Sequence, residues 1–86
     1  MLTSKDIRLC SENYFIVIRQ QSEMIIEIQS KNTKHCWLVQ KCDGYTMLHH
    51  KHAKKDPYYH KHRKVLNVAQ AISEIKSHDD YVLNQK

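Results

Sequence analysis

A single glycine, Gly44, and a single proline, Pro57, serve all 86 residues of the chain. That scarcity excludes a flexible linker, a collagen-like repeat and a low-complexity tract, all of which are rich in those two residues. It also excludes the Gly-rich phosphate loops and the strained nucleophile elbow, which need several glycines at fixed spacing. Cysteine is nearly as scarce. Cys10, Cys36 and Cys42 form no C-x-x-C pair, and an odd number cannot complete a disulfide framework. The three thiols are therefore expected to be reduced core fillers in a cytoplasmic protein. Long hydrophobic runs are missing too. The longest, Tyr14 to Ile18, falls far short of the ~20 residues of a membrane span. The first ten residues carry Lys5, Asp6 and Arg8, so neither a leader nor a membrane contact is expected.

Positive charge and histidine are what the chain has in excess. It holds 14 Lys and Arg against 9 Asp and Glu, a net +5 with its seven histidines neutral. Residues 1–30 and 65–86 each sum to −1, whereas residues 31–64 sum to +7 and contain six of the seven histidines. Apolar residues are 41% of the sequence, enough for one modest core. No linker or repeat interrupts it, so 1–86 is read as one domain.

The local patterns predict an α+β fold: an antiparallel meander of three to five strands with a C-terminal helix packed on one face. Thr3 to Leu9 has the cap and length for a short N-terminal helix. Tyr14 to Gln20 is apolar on both faces and reads as a central strand. Met24 to Gln29 alternates, with Ile26 and Ile28 inward and Glu27 and Gln29 outward. His35 to Lys41 is a third strand, centred on Trp37. Asp43-Gly44 then predicts a two-residue hairpin turn that sets Cys42 opposite Tyr45, Val39 opposite Leu48 and Trp37 opposite His50. A second hairpin, turning at Lys54 to Pro57, leads into Tyr58 to Lys64. Asn67 caps the last helix with Gln70 three residues on. Val65, Val68, Ala69, Ile72 and Ile75 form its apolar stripe, and His78-Asp79-Asp80 reads as its solvated end. Tyr81 to Leu83 is available to dock on the sheet or a partner, and residues 84–86 are expected to fray.

The His-rich segment 49–64 is the part of the sequence that offers chemistry, and it supports three readings. The first is nucleic-acid binding, to DNA or RNA. Lys51, Lys54, Lys55, Lys61, Arg63 and Lys64 would neutralise phosphates, and Tyr58 and Tyr59 would stack on bases. The second is a metal site. His50 and His52 share one face of a strand, as do His60 and His62. With a turn at Lys55 to Pro57, His52 pairs with His60 and His50 with His62, and the four imidazoles gather near Trp37 and His35. Such a set suits Zn²⁺, but the neighbouring lysines raise the cost of holding a dication, and no cofactor is expected.

The third is catalysis without a metal, similar to the small bacterial mRNA-cleaving toxins in size and charge. His60 or His62 would be the general base and Arg63 the phosphorane stabiliser. Those toxins open with two helices where this chain reads as strands. No Ser/His/Asp, Cys/His or paired-carboxylate arrangement stands out, so no enzymatic activity is expected. The α-β-β-β-α order is similar to that of double-stranded-RNA-binding domains. Yet Val65 to Ala71 stands where their Lys-rich helix start belongs, and neither turn matches their His-containing Gly-Pro loop. The sequence therefore points first to a small basic protein that binds nucleic acid through residues 49–64. The alternative is an interaction module that docks an acidic protein or forms a homodimer through its sheet edge.

Overall fold

Asp43-Gly44 closes the tightest turn of the chain. In the computed structural model, which describes residues 1–85, Gly44 adopts φ 81° and Cys42 pairs with Tyr45 across the turn. Positive φ is cheap for glycine alone, so the predicted hairpin follows. The elements run α1 (Ser4–Cys10), β1 (Phe15–Gln20), β2 (Ile25–Ser30), β3 (Cys36–Cys42), β4 (Tyr45–Lys51), β5 (His60–Val65) and α2 (Val68–Leu83). The five strands form one antiparallel sheet in the order β1-β2-β3-β4-β5. Among the described residues no helix is long and apolar enough to cross a membrane.

Both helices start where the sequence places their caps. Thr3 Oγ1 accepts from the Asp6 N–H while an Asp6 carboxylate oxygen accepts from the Thr3 N–H, a closed capping box. Asn67 Oδ1 accepts from the Gln70 N–H at 2.8 Å, but the Gln70 side chain reaches one residue further back and accepts from the Leu66 N–H. Helix α2 lies across β3, β4 and β5 and against α1. Ile26, Ile28, Trp37, Val39 and Leu48 from the sheet meet Val68, Ala71, Ile72 and Ile75 from α2 in the core.

Four expectations need correction. Strand β1 is an edge strand, and only Phe15 in it is buried; a bulge between Val17 and Arg19 breaks its ladder and twists the open edge. Ala69 is exposed and Ala71 takes its place in the stripe, because the helix begins at Val68 and leaves Val65 in β5. The helix runs on through His78-Asp79-Asp80 to Leu83, and Asp79 is fully buried. Asn84 caps it, and Lys86, at the end of the expected frayed tail, lies outside the described residues. Cys10, Cys36 and Cys42 are all free, and the first two are fully buried as expected.

The fourth correction is Glu27, which faces away from α2 yet is only 4% exposed. It accepts hydrogen bonds from the Tyr59 hydroxyl at 2.5 Å, Arg19 Nε at 3.1 Å and Gln21 Nε2 at 3.3 Å. Burial alone would push the Glu27 carboxyl up, but the Tyr59, Gln21 and Arg19 hydrogen bonds outweigh it and hold the carboxyl below its ordinary value. Tyr59 thereby anchors the β4–β5 loop to the far face of the sheet. Tyr59→Phe removes a donor from a buried carboxylate and is expected to cost about 1–3 kcal/mol in urea unfolding. Unchanged stability would mean the hydroxyl does not anchor the loop.

Candidate metal centre

Strand alternation puts His50 on the same face as Leu48 and Trp37, under α2. Trp37 is fully buried, and its Nε1 donates to Ser30 Oγ at 3.2 Å, which fixes the indole in the middle of the sheet. His50 lies on this indole with ring centroids 4.3 Å apart and is only 2% exposed. Five further imidazoles surround it: His78 at 4.8 Å, His35 at 4.9 Å, His52 at 5.1 Å, His60 at 5.5 Å and His62 at 5.6 Å between centroids. Only His49 lies on the opposite face, where Nε2 donates to Gln40 Oε1 at 3.0 Å.

The expected strand register is not the one observed. His50 pairs with His60, not His62, and a bulge between Leu48 and His49 leaves His62 as the extra residue of β5. The longer β4–β5 loop moves the pairing by two positions, which preserves the face of His60. The bulge then turns His62 toward α2 as well, where it meets Trp37 at 5.3 Å and His78 at 5.3 Å.

Two members come from outside the His-rich segment. His35 follows Lys34, whose φ of 67° is a left-handed conformation that ends the β2–β3 turn. Its backbone N–H donates to Thr33 Oγ1 at 3.2 Å. His78 comes from α2, one residue before the buried Asp79. That carboxylate accepts from the Tyr14 hydroxyl at 2.7 Å and the Thr33 hydroxyl at 2.9 Å. It thus ties the helix to the turn that carries His35 and brings the two imidazoles to 5.6 Å. Burial and the Asp79 carboxylate together push the Tyr14 hydroxyl up to about 12.

Within the cluster, donor nitrogens of His35, His50 and His78 all lie within 4.8 Å of one another. His35 Nδ1 and His50 Nε2 share a hydrogen bond of 2.9 Å. His78 Nδ1 is buried and has no hydrogen-bond partner among the described residues. Of the four ligands the sequence suggested, His50 belongs to this converging set. His52, His60 and His62 stack around it with their nitrogens outside the set. The signal for His78 was present in the sequence: it lies three residues after Ile75, on the continuing apolar stripe. His35 had been placed beside the cluster, but not as a ligand.

Burial, reinforced by the neighbouring His78, His35, His52 and His62, drives the His50 imidazole down to about 3. Burial also lowers His35, with help from His52 and His78, and lowers His62, with His78 next in importance. Lysines play little part in this, because the pleat sends them elsewhere. Lys51 Nζ donates to the Lys54 and Asp56 carbonyls, each at 3.2 Å, and lies over the Tyr59 ring. Lys61 stands opposite His49, on the far face.

The other proposed nucleic-acid contacts divide into two groups. Tyr59 is committed to Glu27, Arg63 to Glu74 at 3.0 Å, and Lys64 lies over the Tyr45 ring. Lys54, Lys55, Tyr58 and Lys61 are exposed, and their side chains make no hydrogen bond or ion pair among the described residues.

Compared with known proteins, the chain matches no family model, no curated protein and no solved structure. Its function therefore has to be argued from these side chains.

The buried imidazoles make stability depend on pH with a definite sign. Between about 3, where His50 titrates in the folded protein, and its ordinary 6.5, the unfolded chain binds more protons. The stability contributed by neutral His50 is complete above pH 6.5 and is lost progressively as pH falls toward 3. Thermal unfolding of the metal-free protein is expected to show Tm about 5 °C or more lower at pH 5 than at pH 7. A constant Tm would mean that the ring is not buried in solution.

Proposed function

We propose that the protein binds one divalent transition-metal ion, zinc first among them, through His35, His50 and His78. The observation that carries this reading is the buried, unpartnered Nδ1 of His78, set in a group of three converging imidazoles. A buried polar nitrogen without a partner costs about 1–3 kcal/mol, and a bound ion relieves that cost. Three nitrogens 2.0–2.1 Å from a tetrahedral ion stand about 3.4 Å apart, so the widest pair would close by roughly 1.4 Å on loading. Imidazole donors suit zinc, copper, nickel and iron, and neutral rings bind an ion without first losing a proton. The lysines next to the histidines in sequence are held on the far face or in the loop, which lowers the repulsion a dication would meet.

Calorimetric titration of chelator-treated protein with Zn²⁺ is expected to give one ion per chain and to raise Tm. At a zinc concentration a hundredfold above Kd the gain is about 2.7 kcal/mol. His78→Ala is expected to weaken binding at least about 100-fold, since losing a ligand exceeds the effect of losing an outer-shell partner. His49→Ala, on the other face, should bind as the unmodified chain does. Equal binding by the two variants, with folding checked by circular dichroism, would overturn the proposal.

A second reading keeps nucleic acid as a partner. The unpaired Lys54, Lys55 and Lys61 with the 82% exposed Tyr58 support it. These residues lie on the β4–β5 loop and edge strand β5, outside the converging set of His35, His50 and His78. Binding to labelled single-stranded RNA or DNA is then expected to weaken steeply with salt, and Lys54→Glu with Lys61→Glu should abolish it. If nucleic acid does not bind at low salt, this edge is left to an acidic protein partner or a second copy of the chain.

A further inference from the structure

The three converging imidazoles do not enclose the space between them. His35 and His78 also line an open pocket of about 440 Å³ at the end of α2, whose other walls are His52, Tyr81, Val82 and Gln85. His52 packs against both His35 and His50, with ring centroids 5.1 Å apart in each case. A metal held by three protein nitrogens has a fourth tetrahedral position to fill, and sites that leave it to solvent are the reactive class.

Among the described residues no carboxylate lines this pocket. The nearest buried acid on the helix, Asp79, already accepts hydrogen bonds from Tyr14 and Thr33 at its two oxygens. Three neutral imidazoles would leave both charges of a dication without covalent compensation. The bound ion is then the largest local charge in the site.

Building on the metal reading above, we propose that the ion keeps its fourth position open to this pocket, that the position takes a small anion from solvent, and that His52 holds that anion by a hydrogen bond. The ligand is a hydroxide or a compact oxyanion such as phosphate. The pocket has room for either with its water, since one water occupies about 30 Å³ of liquid volume. His52 acts here as a partner to the exogenous ligand and not as a fourth protein ligand, because its nitrogens stand outside the converging set.

Cobalt(II) in place of zinc provides the test, since its visible spectrum reports coordination directly. On the full chain loaded with Co²⁺, azide and inorganic phosphate are each titrated separately. A saturable change in the visible bands with either anion is the expected result. His52→Ala, loaded in the same way, is expected to weaken the apparent anion affinity about tenfold, the effect of losing an outer-shell hydrogen bond. If bound cobalt gives a spectrum that no anion changes, the site is closed by a fourth protein ligand. That overturns the open position while leaving the metal centre in place. Equal anion affinity in His52→Ala overturns the role of His52. Failure to bind cobalt at all removes both this inference and the metal reading.

Discussion

The contact of His50 with Trp37 sets the terms for the rest of the molecule. An imidazole with almost no exposure cannot be held charged without a partner, and here it is held neutral, stacked on an indole and hydrogen-bonded to His35. The rings of His78, His35, His52 and His62 add to the cost of a proton on it. His50 is thus held neutral, its imidazole driven down to about 3, inside a protein whose net charge is +5. The pleat of β4 and β5 makes this compatible with so basic a sequence. His50 and His60 turn toward α2 while His49 and Lys61 turn away, so residues adjacent in the chain are separated by the sheet itself.

Two buried carboxylates, one on each face, bring distant parts of the chain to this contact. Asp79 binds the hydroxyls of Tyr14 and Thr33 and so joins α2 to the β2–β3 turn. That joint sets His78 beside His35. Glu27 binds the Tyr59 hydroxyl and pulls the β4–β5 loop across the other face, which fixes where β5 begins and places His60 opposite His50. Hydrogen bonds to an ionised acceptor are roughly twice as strong as neutral ones, so each carboxylate can hold a loop that has little apolar surface of its own. The cluster is thus braced by polar contacts from both sides, and the hydrophobic core under α2 supplies the rest.

Much of this was legible in the sequence, and the exceptions share a cause. Period-two alternation, the Asp43-Gly44 turn and the Thr3 and Asn67 caps are local signals. The meander, the β3–β4 register and both helix starts follow from them. The gathering of His50, His52, His60 and His62 on one side was also readable, because H-x-H on a strand leaves both rings on one face. The apolar pattern of β1 misled, since Ile16 and Val17 face solvent at an edge that nothing in the local sequence marks as one. Glu27 and Asp79 misled for the opposite reason: their burial depends on Tyr59, Tyr14 and Thr33, hydroxyls far away in the chain.

The sequence by itself determined the elements, the order in which they pair and the alternation that sets His50 and His49 on opposite faces of β4. Those properties depend on spacings of two to four residues, which chain geometry imposes directly. Tertiary structure alone decided which imidazoles converge. His35 and His78 are separated by 43 positions and meet because a buried aspartate ties a turn to a helix. His62 packs beside them, outside the converging set, because one extra residue in β5 was absorbed as a bulge instead of shifting the strand. Neither event leaves a local trace, because each is settled by how the packed core divides the available space.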